Sequence, residues 1–485
     1  MFVICIFFAY TAHLLGENWV IMRERWPEYR QHCRKPYPEI ALRSMGPNMK
    51  VAASIVIYVT LFGTAVVFIL LSSRIIQHLL ASIFGVQISF CYLLCIVSLA
   101  IMPLTYLKSP ADFWLVIVVA MLCTISAVAL VLLGVSFDMS ACLPEARYPP
   151  FKASSAVLSL GTFLFAFSGH HAFPTIQHDM KRPHEFTKSV MLGFIMIALL
   201  YMPLSVYGYV VYGDSMYSSV IDSVQTTWIR YAADLSIAIH CILTLIIMAN
   251  PLNQQAEDAL NAPHTFGLTR VVIRSCVLGA MLFCALTIPD FGPFMNLHYH
   301  TIGMCHITEH MQPLPERLCP RSQDSTVHAS IIQRVAFGLT RVVIRSCVLG
   351  AMLFCALTIP DFGPFMNLVG STTIPLVCAI LPSICNLYLN ASVLDHKTQQ
   401  YTLASFNEVW SHGTHFTSTS VALVAGVVSA YMSLEEITLV HFTPPCYLRP
   451  FLSVEPSLYN GELISCCGMN RNILASGNTT ELCRI

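Results

Sequence analysis

Eleven apolar stretches divide this chain, and each one ends in proline, glycine or charged residues. A helix that crosses a bilayer needs about 20 apolar residues, and tilting or kinking accommodates shorter ones. The 485 residues are 55% hydrophobic and 11% charged, whereas soluble domains carry roughly 25% charged residues. The sequence therefore predicts an all-α integral membrane protein. The stretches are residues 2–16, 51–72, 86–106, 113–135, 155–173, 189–212, 229–250, 271–288, 342–359, 368–389 and 418–434.

Lysine and arginine are unevenly distributed between the two alternating sets of connecting segments. Seven of them lie in residues 23–50, and three more lie in residues 181–188. The other set carries Arg74, Arg147, Lys152 and Arg230. Because basic segments are retained on the cytoplasmic side, we expect residues 23–50 and 181–188 to be cytoplasmic. The formal net charge is zero, which gives no argument for a nucleic-acid partner.

The segment Phe163–Met180, FLFAFSGHHAFPTIQHDM, places helix-breaking and titratable groups at the end of an apolar stretch. Pro174 removes a backbone donor, and Gly169 tolerates non-helical angles, so we expect a break in the helix. Backbone groups freed at membrane depth are tolerated only inside protein or beside a water-filled cavity. Transporters use such breaks to bind the ionic parts of a substrate. A proline kink next to a cytoplasmic loop explains the same residues equally well.

One segment of 32 residues occurs twice without a single difference, at 266–297 and at 337–368. Internal repeats of transporters diverge to weak similarity, so this identity indicates a recent duplication or an error in assembling the gene. If the extra copy also crossed the membrane, the orientation of every later segment would be reversed. We expect one copy to take the native position, and the sequence does not choose between them.

Two polar side chains, Asp234 and His240, interrupt the apolar stretch 229–250. A charge at bilayer depth costs at least about 3 kcal/mol on insertion scales, so such groups usually face the bundle interior or a pathway. Asp234 lies near the outer end, where solvation is the favoured explanation. His240 lies nearer the middle, with Ser236 and Thr244 one turn to either side. A hydrogen-bonded core histidine is favoured there over a proton relay.

The remaining candidate sites are cysteines, histidines and glycosylation sequons. The 19 cysteines show no CxxC pair, so we expect most of them to be small embedded residues and not disulfides. Cys305, His306 and His310 match no established zinc pattern, and no metal site is expected. Asn390 (NAS) and Asn478 (NTT) are sequons for N-glycosylation.

The segment GTFLFAFSGHHAFPTIQHDMKRP closely resembles the sixth-helix signature of the amino acid/auxin permease family, the transmembrane amino acid transporters. That family includes the vesicular inhibitory and the proton-coupled amino acid transporters. The resemblance covers residues 1–450 except the segment 298–336 and one repeat copy. Other segments that resemble the family are FAYTAHLLGENWVIMRERWPEYRQHCRKPYPEI, MANPLNQQAEDAL, TIPDFGPFMNLVGSTTIPL and LPSICNLYLN.

The resemblance implies a bundle of the leucine-transporter type, with eleven helices, inverted five-helix repeats, and the first and sixth helices broken around the substrate. Carried over by motif, Phe167, Ser168, Gly169 and His170 would line the substrate pocket. Phe165 would shape the compartment for the substrate side chain, with core packing as a comparable explanation. Asp234 and His240 stay candidates for a proton or ion relay.

Aligned in this way, residues 2–16 correspond to the end of the family's second helix, so the first helix is missing and a later one is duplicated. The resulting division is 1–297, the transporter domain without its first helix; 298–336, a polar insert; 337–368, the duplicate; 369–450, the rest of the domain; and 451–485, a polar C-terminal tail.

The resemblance implies secondary active transport of small neutral amino acids by alternating access, with a proton as the coupling species and no other cofactor. The expected partners are the amino acid and the lipid bilayer. The expected location is the plasma membrane or a lysosomal, vacuolar or vesicular membrane. In the family topology Asn390 is cytoplasmic and unglycosylated, which leaves Asn478 as the glycosylation candidate. The alternative is a transport-incompetent membrane protein, such as a sensor, a partner subunit or a defective gene product. An enzyme would need clustered acid, base or metal-binding residues, which the sequence does not show.

Overall fold

The described part of the protein is helical except for two very short strands. The computed structural model describes residues 1–31, 33, 35–101, 114–217, 219–259, 275, 277–280, 362–392, 394–395, 400–401, 424, 427–428, 431, 465–468 and 471–478. Its α-helices are α1 Phe2–Arg25, α2 Pro36–Met45, α3 Pro47–Phe84, α4 Phe90–Ile101, α5 Trp114–Cys142, α6 Ala153–Ala166, α7 Phe173–Asp179, α8 Phe186–Tyr212, α9 Val220–Ser223, α10 Thr227–Ala259, α11 Phe362–Pro375 and α12 Leu381–Ala391. A π-helical turn, Leu376–Ile380, joins α11 to α12. Strands β1 Leu394–Asp395 and β2 Gln400–Tyr401 pair antiparallel.

Six helical stretches of the described residues are long and apolar enough to cross a bilayer. They are Phe2–Arg25, Pro47–Phe84, Leu115–Glu145, Pro183–Ser215, Thr227–Asn253 and Val369–Ala391. Each coincides with one of the predicted stretches, and the chain is therefore an integral, multi-pass membrane protein. The predicted stretches 271–288, 342–359 and 418–434 lie largely outside the described residues.

Helix α1 is longer than the predicted stretch 2–16, because it continues through polar residues as far as Arg25. One of these polar residues has partners inside the protein. Asn18 is fully buried and donates its amide hydrogen to the carbonyl of Pro382 at 2.9 Å. Asn386 on α12 in turn donates to the side-chain oxygen of Asn18 at 2.9 Å. The polar residue thus stays inside the protein with its hydrogen bonds satisfied, as a buried amide requires.

The end of α1 lies in a charged region that we term the basic end of the bundle, formed by residues 23–31, 33, 35–50, 178–188 and 389–392. Arg25 donates hydrogen bonds to the carbonyl of Leu389 and to the hydroxyl of Ser392, the latter at 2.6 Å. In the connecting segment, burial raises the pKa of Tyr29 to about 12. Tyr29 therefore keeps its proton, and its hydroxyl donates a hydrogen bond to Glu39 at 3.0 Å.

The main core lies where α1, α3, α10 and the α11–α12 pair meet. Large side chains of α1, including Phe8 and Trp19, are fully buried there, together with Leu61 of α3 and Leu245 of α10. Within a bilayer the lipid is as apolar as these side chains, so close van der Waals packing and interhelical hydrogen bonds hold the helices together.

Both copies of the duplicated segment contribute described residues to the fold. From the first copy, Leu278 is 2% exposed and packs in the main cluster, with Val277 and Ala280 against it. From the second copy, residues 362–368 open α11 and continue directly into the spanning stretch Val369–Ala391. The described residues therefore come from both copies. The expectation that a single copy takes the native position concerns residues that lie largely outside the described part.

In the C-terminal tail, the described residues 465–468 and 471–478 pack against the end of α5 and the first turn of α10, opposite the basic end. Cys467 forms a disulfide with Cys142, the last residue of α5. This pair lies where the chain leaves the apolar region, and it is an exception to the expectation that most of the cysteines are not in disulfides. Among the described residues the free thiols are Cys5, Cys33, Cys95, Cys123, Cys241, Cys378 and Cys385.

Candidate functional site

The helix that begins with α6 is interrupted, as the sequence predicts. Helix α6 ends at Ala166, and α7 begins at Phe173 after six non-helical residues. The backbone of the break is held by short turns in which Ser168 bonds to Phe165 at 3.1 Å and Ala172 bonds to Gly169 at 3.0 Å. Peptide groups that a continuous helix would use are thereby freed inside the bundle, the arrangement that transporters use around a substrate.

Two of the predicted pocket residues, Phe167 and His170, are packed within the protein. Phe167 is 2% exposed and stacks on Phe194 of α8, with ring centres 6.5 Å apart. His170 is fully buried, and its Nε2 lies 3.1 Å from both the carbonyl of Phe8 and the hydroxyl of Thr11 on α1. These two side chains therefore fasten the break to α8 and α1.

The carbonyl of Phe8 also fixes the tautomer of His170. A carbonyl oxygen only accepts hydrogen bonds, so the hydrogen in this bond is on Nε2 of His170. The other ring nitrogen, Nδ1, is then a bare acceptor, and it is buried without a hydrogen-bond partner among the described residues. His171, the next residue, likewise has a buried Nδ1 without a partner, while its Nε2 lies 3.2 Å from the sulfur of Met248 on α10.

The other two predicted pocket residues, Ser168 and Gly169, keep part of their surface exposed. The hydroxyl of Ser168 donates to the carbonyl of Phe165 at 2.7 Å, which leaves its lone pairs free to accept. A Cβ built on Gly169 would lie 3.4 Å from the ring of Phe173. Phe165 itself is half-buried and packs against the main core. Of the five predicted residues, Phe165, Ser168 and Gly169 thus keep some exposed surface, whereas Phe167 and His170 do not.

A second irregular stretch, the π-helical turn Leu376–Ile380, lies against the break. The thiol of Cys378 interacts with the backbone of Gly169 and His170. The hydroxyl of Tyr37 donates to the carbonyl of Val377 in the same turn. π-Helical turns are rare and occur frequently at functional sites. Sequence reasoning missed this turn, although the prolines Pro375 and Pro382 that flank it are a usable signal.

His240 lies among polar side chains where α5 packs against α10. Its Nδ1 is 2.9 Å from the hydroxyl of Thr124 and 3.2 Å from the carbonyl of Ala120, and its Nε2 is 3.4 Å from the hydroxyl of Thr244. Ser236, one turn earlier, receives a hydrogen bond from Ser126 of α5 at 3.3 Å. The predicted common face of Ser236, His240 and Thr244 is therefore real, and His240 has the contacts of a hydrogen-bonded core residue.

Asp234, the second relay candidate, is 5% exposed. The expectation that this carboxylate is solvated at the outer end of the helix is wrong, because the side chain is buried within the protein. Arg230, one turn earlier, is also buried, and it donates to the hydroxyl of Ser465 in the tail at 2.8 Å. The predicted cluster Cys305, His306 and His310 lies outside the described residues.

Comparison with known proteins agrees with this architecture. A family model for transmembrane amino acid transporter proteins matches residues 1–304 and 317–432. Amino acid transporter AVT1B of Arabidopsis thaliana is 24% identical over 274 residues, which cover 54% of this chain and 49% of that protein. Amino acid transporter AVT1C of the same plant is 23% identical over 360 residues, covering 72% and 52% respectively.

A third relative, Lysine histidine transporter-like 1 of Arabidopsis thaliana, is 28% identical over 159 residues, covering 30% of this chain and 35% of that protein. The chain spans about half the length of the first two relatives. The family consists of transporters and not of enzymes. Because the family model covers most of its length, this chain belongs to the transmembrane amino acid transporter family.

Proposed function

We propose that this protein carries small neutral amino acids across a membrane by proton-coupled, alternating-access transport. The observation that supports it best is the contact between two irregular helical stretches, the break at 167–172 and the π-helical turn Leu376–Ile380, through Cys378. Both stretches depart from regular α-helical hydrogen bonding at membrane depth, which is tolerated only within protein or beside a water-filled cavity.

The chemistry of the break suits a zwitterion with an uncharged side chain. Its six residues, Phe-Ser-Gly-His-His-Ala, include no lysine, arginine, aspartate or glutamate. Free peptide groups and the hydroxyl of Ser168 offer partners for the ammonium and carboxylate groups of an amino acid. The neighbouring rings of Phe165 and Phe173 are apolar and offer no partner to a charged side chain, which is why we propose small neutral substrates.

Alternating access would follow from the leucine-transporter type of fold, which we propose for the whole bundle. In that fold one group of helices rocks against the other around a fixed central site. Here the break is tied on one side to α1 by His170 and on the other to α10 by His171. Movement between these two attachments would open the site to each side in turn.

Uptake into proteoliposomes tests the proposal. Purified protein, reconstituted with an inward proton gradient, should take up labelled neutral amino acids, and a protonophore should abolish accumulation. Gly169→Leu should lower uptake roughly tenfold or more, because overpacking costs about 1–3 kcal/mol and about 1.4 kcal/mol is a factor of ten. Gly193→Leu is the matched control, since Gly193 on α8 has no neighbouring atom within 4 Å of an added Cβ.

Two results would contradict the proposal. Equal uptake by Gly169→Leu and the wild type would remove the break from the substrate site. No uptake by wild-type protein that elutes as a single folded species would favour a sensor or partner subunit, and binding of an amino acid without transport would then identify the sensor.

A further inference from the structure

The described part of the C-terminal tail is attached to the bundle at the end of α5. The disulfide between Cys142 and Cys467 supplies the covalent link. Gln225, which lies between α9 and α10, donates its amide hydrogen to the carbonyl of Ile473 at 3.0 Å and accepts one from the backbone of Ala475. Together with the bond from Arg230 to Ser465, these contacts hold residues 465–478 against one face of the protein.

This face is the one opposite the basic end. Helix α8 starts at Phe186, two residues before Lys188, and runs for 27 residues to Tyr212. At 1.5 Å per residue it is about 40 Å long, and the apolar part of a bilayer is about 30 Å thick. At its far end the hydroxyl of Tyr212 donates to Asp138 of α5 at 2.6 Å, one turn before Cys142. The disulfide therefore lies a full membrane thickness from the basic residues.

Two independent rules assign this face to the extracytoplasmic side. Basic segments stay in the cytoplasm, and they lie at the other end. Disulfides persist in oxidising compartments and are rare in the cytosol, and Cys142–Cys467 lies at this end. The tail is thus exposed to the compartment in which proteins of eukaryotic cells acquire N-linked sugars.

Asn478 is presented outwards from this face. It is exposed, as are Ser476 and Gly477 before it. Its carbonyl accepts a hydrogen bond from the backbone of Leu474 at 2.9 Å, and Gly477 closes the turn with φ +78°. The sequence continues with Thr479 and Thr480, which completes the acceptor pattern.

The second sequon provides an internal contrast. Asn390 is in helix α12, next to Leu389, whose carbonyl accepts a hydrogen bond from Arg25 at the basic end. Its side-chain amide donates to Asn386 at 3.0 Å. By the same two rules this asparagine faces the cytoplasm.

We propose that Asn478 carries an N-linked oligosaccharide on the extracytoplasmic face, and that Asn390 carries none. The donor class is an oligosaccharide attached to a polyprenyl pyrophosphate. The side-chain nitrogen of Asn478 forms a bond to the anomeric carbon of the first sugar, and the bond from that carbon to the pyrophosphate oxygen breaks. The amide loses one proton, and the lipid pyrophosphate leaves. The inference does not depend on transport activity.

Gel mobility of the full chain expressed in a eukaryotic cell line tests this inference. Digestion with peptide N-glycosidase should shift the wild type by the mass of one oligosaccharide. Asn478→Gln and Thr480→Ala should both run at the digested position before any treatment. Asn390→Gln and Thr480→Ser, which leave the Asn478 acceptor pattern intact, should behave like the wild type.

Either of the following two outcomes would overturn the inference. A wild-type band that does not move on digestion shows that Asn478 is unmodified. A shift that persists in Asn478→Gln and disappears in Asn390→Gln places the glycan, and hence the oxidising compartment, at the basic end. Thr480→Ala leaves Asn478 itself unchanged, so its agreement with Asn478→Gln separates loss of the acceptor from misfolding.

Discussion

Gly161 of α6 and Gly370 of α11 lie with their backbones in direct contact. A Cβ atom on Gly370 would fall 2.0 Å from the carbonyl oxygen of Gly161, and one on Gly161 would fall 2.5 Å from the carbonyl oxygen of Asn367. Small residues allow helices in membranes to approach this closely. The contact fixes the first half of the broken helix against the helix that carries the π-helical turn.

We expect Gly370→Ala to destabilise the protein by about 1–3 kcal/mol, because the added methyl group would overlap backbone that cannot rotate away. Gly161→Ala should act in the same way. Thermal denaturation in detergent measures the effect. Gly193→Ala is the control, since an added Cβ there meets nothing within 4 Å. An equal midpoint for Gly370→Ala and Gly193→Ala would contradict the close approach.

A smaller substitution at the break should be tolerated. The Cβ of Gly169→Ala would lie 3.4 Å from the ring of Phe173, an ordinary van der Waals distance. We expect this variant to keep most of its amino acid uptake, in contrast to Gly169→Leu, whose longer side chain has no such space. Initial uptake rates of the two variants check the order. Equal loss in both would contradict the expected order, because Gly169 has no positive φ angle that would by itself exclude a side chain.

Replacement of Asn18 should weaken the attachment of α1 to α12. Asn18→Leu removes a donor to the carbonyl of Pro382 and an acceptor for Asn386, and both groups would stay buried without partners. Such losses cost about 1–3 kcal/mol. Gly193→Ala, where an added Cβ meets nothing within 4 Å, should change stability by no more than about 0.5 kcal/mol. Similar midpoints for the two variants in detergent would refute the expected difference.

His240 provides a test of the relay candidates. Its ring nitrogens are both engaged by Thr124, Ala120 and Thr244. We therefore expect His240→Gln to lower stability by about 1 kcal/mol while uptake keeps its dependence on the proton gradient. Uptake at several external pH values measures this dependence. If the gradient no longer drives accumulation while exchange of amino acid continues, His240 is a relay and its hydrogen bonds are secondary.

The sequence was informative wherever one local pattern determines the structure. Apolar length located the spanning helices, and Gly169 with Pro174 located the break. It was misleading for Asp234, because the position of a polar residue near a helix end does not show whether other parts of the fold cover it. The pairing of Cys142 with Cys467 could not be predicted for a related reason, since spacing alone does not determine which cysteines form a disulfide. The π-helical turn has the same apolar composition as the helices on either side of it.

The disulfide of Cys142 and Cys467 joins positions that are 325 residues apart. Every segment between α5 and the tail, including the polar stretch 298–336, therefore belongs to one covalent ring. A single proteolytic cut anywhere within that ring would leave the two pieces linked, and they would migrate as one molecule until a reductant separated them. Comparison of cleaved protein with and without reductant would reveal nicks that an ordinary purification conceals.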